Sequence, residues 1–80
     1  VPLVHFPNDL QHYTGGLDKL FVEAPRVQEL FLALAQRFPG MGEDLDKLAV
    51  AVNDEIHNDA PYVALDPDTE VYLIPRIAGG

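Results

Sequence analysis

An α+β fold, with one long helix lying across one face of a mixed sheet, is predicted by three features of this sequence. Short stretches of alternating apolar and polar residues stand near both ends of the chain and just past its middle. Between them, one stretch switches to a helical period. Proline, glycine, asparagine and aspartate gather between these stretches, where turns belong. Strands before and after a single long helix fit a sheet covered on one side by that helix.

The elements follow in order. Residues 2–6 predict a first strand, with Val4 and Phe6 on one face and Leu3 and His5 on the other. Residues 7–18 carry Pro7, Asn8, Asp9, Gly15 and Gly16 and read as loop or wide turn. Residues 19–24 alternate again, with Leu20, Val22 and Ala24 on one face, so the first two strands are expected to form an antiparallel hairpin. Val27, Leu30, Phe31, Leu34 and Phe38 then recur at i, i+3, i+4, i+7 and i+11. That spacing predicts a helix over residues 26–38, about 20 Å long at the usual rise. Pro25 suits its first turn and Pro39-Gly40 its end. Leu32 falls on the polar side of the stripe. The acidic residues 40–47 have room for a short helical turn. Residues 48–53 read as a third strand, in which Leu48, Val50 and Val52 alternate with Ala49, Ala51 and Asn53. Residues 53–55 read as a turn. Residues 56–65, broken by Pro61, are expected to be irregular, with one short strand among them. After a turn at 66–68, residues 70–74 form the last expected strand. Val71 and Leu73 should face the helix, which turns Tyr72 and Ile74 the other way.

Composition limits what the chain can do. Eighty residues make one domain with a small core, burying about 60–65% of the unfolded surface. There is no cysteine, so neither a disulfide framework nor a thiolate metal site can be built. No apolar run approaches the length of a membrane span. No signal peptide is visible, the first residue is Val1 rather than Met, and a cytoplasmic setting is expected. Five Lys and Arg stand against thirteen Asp and Glu, a net charge of −8, which disfavours nucleic acid and favours a basic protein partner.

Few residues offer chemistry. His5 lies in a strand, His12 in a loop beside Tyr13, and His57 after a turn, and no spacing among them suggests a nucleophile with its base. "NDEIHND", residues 53–59, gathers carboxylates and a histidine but matches no metal-binding spacing, and reads as a solvated polar turn. "HYTGG", residues 12–16, lacks the lysine and spacing of a phosphate loop and reads as a turn. The ending "YLIPRIAGG" is different. A strand leads to Pro75, and five residues follow, closing on Gly79-Gly80. Glycine allows another backbone to come close and leaves the carboxylate of Gly80 without a steric guard. An enzyme could draw such a tail into a narrow channel and activate it with ATP.

Several stretches resemble one known family, the ubiquitin-like sulfur carriers, and together they cover nearly the whole chain. These carriers include the small subunit of molybdopterin synthase, the thiazole-biosynthesis carrier and the carrier used in cysteine formation. "APRVQEL" at 24–30 and "DKLAVAVNDE" at 46–55 are similar to the molybdopterin synthase small subunit. "LQHYTGG" at 10–16 is similar to the cysteine-forming carrier. "LDPDTEVYLIPRIAGG" at 65–80 resembles the family's ending: acidic turn, strand, proline, then paired glycines. Arg76 departs from the molybdopterin synthase subunit, which usually has a second proline there; ubiquitin itself has arginine at that offset, where it helps choose the activating enzyme.

The resemblance implies a β-grasp body over residues 1–75 and a flexible tail over 76–80. It implies that Gly80, with Gly79 before it, is adenylated by an activating enzyme that uses ATP. The carboxylate then becomes a thiocarboxylate that delivers sulfur to a biosynthetic enzyme or large subunit. No cofactor or metal is expected on the chain itself, which is a carrier rather than an enzyme. A protein modifier forming isopeptide bonds through Gly80 is the alternative, and a binding module with an incidental ending is a third reading. In a β-grasp sheet the first and last strands are neighbours, so Leu3, His5, Tyr72 and Ile74 are expected to share one docking face. Arg76 and Ile77 are the expected tail contacts. The competing expectation is that residues 61–65 fold over that face and bury it.

Overall fold

The computed structural model describes residues 1–58 and 61–75. Among them, five strands form one mixed sheet: β1 (Leu3–His5), β2 (Lys19–Phe21), β3 (Leu48–Val52), β4 (Glu55–His57) and β5 (Glu70–Pro75). The spatial order is β2-β1-β5-β3-β4. β1 runs parallel to β5 and antiparallel to β2, and β3 runs antiparallel to both β5 and β4. Helix α1 (Val27–Arg37) packs on the sheet, followed by the short α2 (Met41–Leu45). The α+β prediction and the neighbouring first and last strands both hold.

The core lies between the inner sheet face and α1. Val4, Val71, Leu73, Val50 and Val52 meet Leu30, Leu34 and Val27, all nearly or fully buried. The helical stripe read from the sequence is therefore the buried face, and Leu32 stands outside it, 55% exposed. Burying a Leu or Val side chain contributes about 1.5–3 kcal/mol, so this one layer carries much of the stability. Leu10, Met41 and Leu45 complete the core from segments read only as loop and short turn. A 3-10 turn at Asn8–Leu10 drives Leu10 inward, and the Thr14 hydroxyl donates to the Leu17 carbonyl at 2.8 Å to hold the loop that follows.

The helix start differs from the expectation. Pro25 lies outside the helix, and Arg26 is the cap residue, with extended backbone and no side-chain cap. The open N–H groups of the first turn are satisfied from afar: Val27 donates to the Val63 carbonyl and Gln28 to the Pro61 carbonyl, each at 3.0 Å. Leu65 donates to the Pro25 carbonyl at 2.9 Å, and Arg26 bridges Ala64. The segment 61–65 is thus committed to the start of α1 and does not fold over the outer sheet face.

The turn at 53–55 is also shorter than read. Asn53 and Asp54 both have positive φ, 52° and 68°, as a two-residue hairpin turn of the primed type requires. Glu55 is consequently the first residue of β4, paired with Val52. At the other helix end, Gly40 has φ +95°, and a Cβ there would meet Tyr13 Cε1 at 3.3 Å. Both the turn from α1 into α2 and the close ring thus require glycine.

That ring ties the first loop to α2. The Tyr13 hydroxyl donates to Asp44 Oδ2 at 2.7 Å. This bond, then partial burial, then the charges of Asp44 and Glu43, favour the neutral phenol and hold its pKa above the ordinary 10.0. With the folded value raised, the contact's contribution is complete below the unfolded phenol's pKa and is lost as pH rises through the folded one. In an absorbance titration, Tyr13 should ionise above the ordinary 10.0, and Asp44→Ala should bring its ionisation to lower pH. An unaltered titration in the variant would show that Asp44 does not hold the phenol.

Candidate functional site: the outer sheet face and the strand leading to the C-terminus

Cross-strand register assembles the outer face. In β1 and β5, His5 pairs with Tyr72 and Leu3 with Glu70. In β5 and β3, Tyr72 pairs with Ala51 and Ile74 with Ala49. Paired residues project to the same side, so Leu3, His5, Tyr72 and Ile74 share the face turned away from α1. The structure brings together all four of the body residues singled out from the sequence.

Two exposed side chains extend this face and were missed in the sequence reading. Phe21 pairs with Leu3 and is 64% exposed; Ile56 pairs with Ala51 and is 59% exposed. One rung therefore runs Lys19, His5, Tyr72, Ala51, Ile56 across all five strands. At the usual strand spacing it spans about 19 Å. The available signal was alternation: Phe21 falls out of phase with Leu20 and Val22, which leaves an aromatic ring on the solvent side.

The centre of the face is held rigidly. The His5 and Tyr72 rings stack with centroids 4.1 Å apart and planes within 4°. His5 Nε2 lies 2.8 Å from Glu70 Oε1, so the imidazole is held from its edge as well as its face. Side chains already fixed lose less freedom when a partner binds. Beside Tyr72, a polar hollow of about 350 Å³ is lined by Asn53, Asp54, Asp68 and Glu70. An apolar and aromatic row with an acidic rim suits a partner surface that is apolar at its centre and basic at its edge.

The other histidines form separate local pairs. His12 lies against Tyr13 with centroids 4.1 Å apart, and His57 Nε2 is 3.6 Å from Glu55 Oε2. Among the described residues, no group of three or more His, Asp or Glu is placed to hold a metal ion. Nor is any helix there long and apolar enough to cross a membrane.

β5 carries Tyr72 and Ile74 straight to Pro75, which pairs with Leu48 as the last described residue. Arg76, Ile77, Gly79 and Gly80, and with them the expected tail over 76–80, lie outside the described residues.

The sheet order, the single long helix and the parallel first and last strands define a β-grasp, ubiquitin-like domain. The ThiS family model matches residues 4–80, and the chain belongs to that family of ubiquitin-like sulfur carriers. No curated protein sequence matches the chain. Among solved structures, it is similar to CysO of Mycobacterium tuberculosis, with 19% identity and a TM-score of 0.85 over 96% of this chain and 100% of that one. It is likewise similar to a chain of the Amycolatopsis orientalis BexX/CysO complex, with 22% identity and a TM-score of 0.83 over 100% of both. A third likeness is to a chain of the Helicobacter pylori complex of molybdopterin-converting factor subunits 1 and 2. There the identity is 26% and the TM-score 0.68, over 99% of this chain and 97% of that one. Two of these three relatives were thus solved with a protein partner.

Proposed function

We propose that the protein is a sulfur carrier that works through the carboxylate of Gly80. A partner enzyme binds the outer sheet face, draws in residues 76–80 and joins the carboxylate to AMP from ATP, releasing pyrophosphate. A sulfide equivalent then attacks the acyl carbon. A C–S bond forms, the C–O bond to AMP breaks, and a thiocarboxylate remains on Gly80. In a second enzyme the thiocarboxylate sulfur attacks a biosynthetic substrate, forming a C–S bond and expelling the substrate's leaving group; water then hydrolyses the resulting thioester, leaving the sulfur on the product and the carboxylate on Gly80. Residues 1–75 act as the body that is recognised and residues 76–80 as the arm that reacts. The chain is the substrate of its partners rather than an enzyme; ATP enters with the activating enzyme, and the setting is the cytoplasm.

The observation that supports this reading best is a combination. The family model matches through Gly80, and β5, which carries the exposed Tyr72 stacked on His5, ends at Pro75, five residues before that glycine in the sequence. The two BexX/CysO and molybdopterin-converting-factor complexes support partner enzymes as a class. The chain should be incubated with its cognate activating enzyme, ATP and a sulfide source, then weighed intact. Replacement of one oxygen by sulfur is expected. A covalent adduct on lysines of other proteins, with no thiocarboxylate on the free chain, would make it a protein modifier instead.

A further inference from the structure

A second surface lies on the opposite side of the sheet from the aromatic row. Between α1 and α2 runs a groove of about 530 Å³, lined by Phe31, Leu32 and Ala35 from α1 and by Gly42, Glu43 and Asp46 from α2 and its end. Leu32 lies outside the buried stripe of α1 and stands 55% exposed at the groove, while Phe31 is half-buried in its wall. The floor is made by two small residues. A Cβ on Gly42 would meet Ala35 Cβ at 3.2 Å, so glycine lets α2 lie close against α1 there. Glycine is otherwise a poor helix residue, and Gly42 needs no left-handed backbone.

The rim is acidic. Glu43 and Asp46 are exposed, and neither joins an ion pair among the described residues. An apolar groove with unpaired carboxylates along its α2 side selects its occupant by charge. A second copy of this chain brings another net charge of −8 and is repelled, as is an anionic membrane. We propose that this groove docks a cationic amphipathic helix of a partner protein, with leucine-like side chains over Leu32 and Ala35 and lysine or arginine against Glu43 and Asp46. The groove belongs to the helix layer, so it stays open while the outer sheet face is covered. It does not depend on the sulfur-carrier reading.

The test uses the full chain, isotopically labelled, and a designed helical peptide of leucine and lysine with all its leucines on one face. Amide shifts should concentrate at Gln28, Leu32, Ala35, Gly42 and Asp46. A scrambled peptide of the same composition should bind at least about ten-fold more weakly. Leu32→Glu separates groove docking from bulk attraction by sign. It makes the chain more acidic, so non-specific attraction would tighten, whereas loss of the apolar Leu32 side chain should weaken binding at least about ten-fold. The pair Glu43→Lys and Asp46→Lys should weaken it as much. The pair Glu23→Lys and Glu55→Lys, the same change in net charge on exposed residues elsewhere, should weaken it by less than about three-fold. Should Leu32→Glu fail to fold by circular dichroism, the two charge pairs decide alone. Equal weakening by both pairs would overturn the proposal, as would tighter binding by Leu32→Glu or shifts centred on Tyr72. Groove shifts that arise on concentrating the chain without peptide would make the occupant a second copy, and would overturn it too.

Discussion

Deletion of Gly80 should abolish thiocarboxylate formation while leaving the unfolding transition of the domain where it was. The deletion moves the reacting carboxylate back by one residue, about 3.3–3.6 Å along an extended chain. Misplacement by as little as 1 Å can cost about a hundred-fold in rate, so loss beyond detection is expected. Stability should not follow, because the buried cluster described here runs from Val4 to Leu73 and β5 ends at Pro75. Intact mass spectrometry of the reacted chain and a urea titration of the free chain measure the two effects separately. Sulfur incorporated into the shortened chain would place the chemistry on another group and end the carrier reading as framed.

Replacing Ile74 by aspartate should weaken binding to the activating enzyme by about 2 kcal/mol or more, roughly thirty-fold. Ile74 stands on β5 two residues beyond Tyr72, on the same outer face, opposite Ala49. It is half-buried among outer-face neighbours and lies outside the buried cluster, so the domain should still fold. A carboxylate there would be desolvated at the centre of an apolar contact. Tyr72→Ala is the companion variant. Tyr72 is 46% exposed, and its removal takes away the ring that holds His5 without adding charge. Calorimetric titration of wild type and both variants against the activating enzyme measures the loss. Wild-type affinity in both folded variants would remove this face from the interface, and unfolding of Ile74→Asp alone would make that side chain structural.

The two variants probe different parts of the same reading. Ile74 tests whether the outer face is recognised, and Gly80 tests whether the carboxylate reacts. A carrier requires both. An incidental ending on a binding module would lose affinity with Ile74→Asp but keep its function without Gly80.

Local pattern in the sequence was enough to identify several elements. The helical recurrence from Val27 to Phe38 marked the buried stripe, and period-two alternation put Val71 and Leu73 inward and Tyr72 and Ile74 outward. Each of those features depends on residues within a turn or a strand of one another, so each survives without knowledge of the rest of the chain. The glycine ending and its approach through Pro75 were legible for the same reason.

What only the tertiary structure decided is whatever depends on partners distant in sequence. The first turn of α1 is capped by carbonyls of Pro61 and Val63, so Pro25, a plausible first helical residue by local rules, sits outside the helix. The same bonds fix where residues 61–65 go, and so leave the outer face open. Phe21 and Ile56 join that face only because β2 and β4 pair at the two edges of the sheet, and the chain between Asn53 and Glu55 reads as turn until its positive φ angles define a two-residue hairpin. Leu10, Met41 and Leu45 look like loop and turn residues until the sheet and α1 provide an apolar layer for them to close. Sequence alone settled which side chains alternate or recur; pairing and packing over long separations settled which of them meet, because hydrogen bonds and buried surface are satisfied by neighbours in space rather than along the chain.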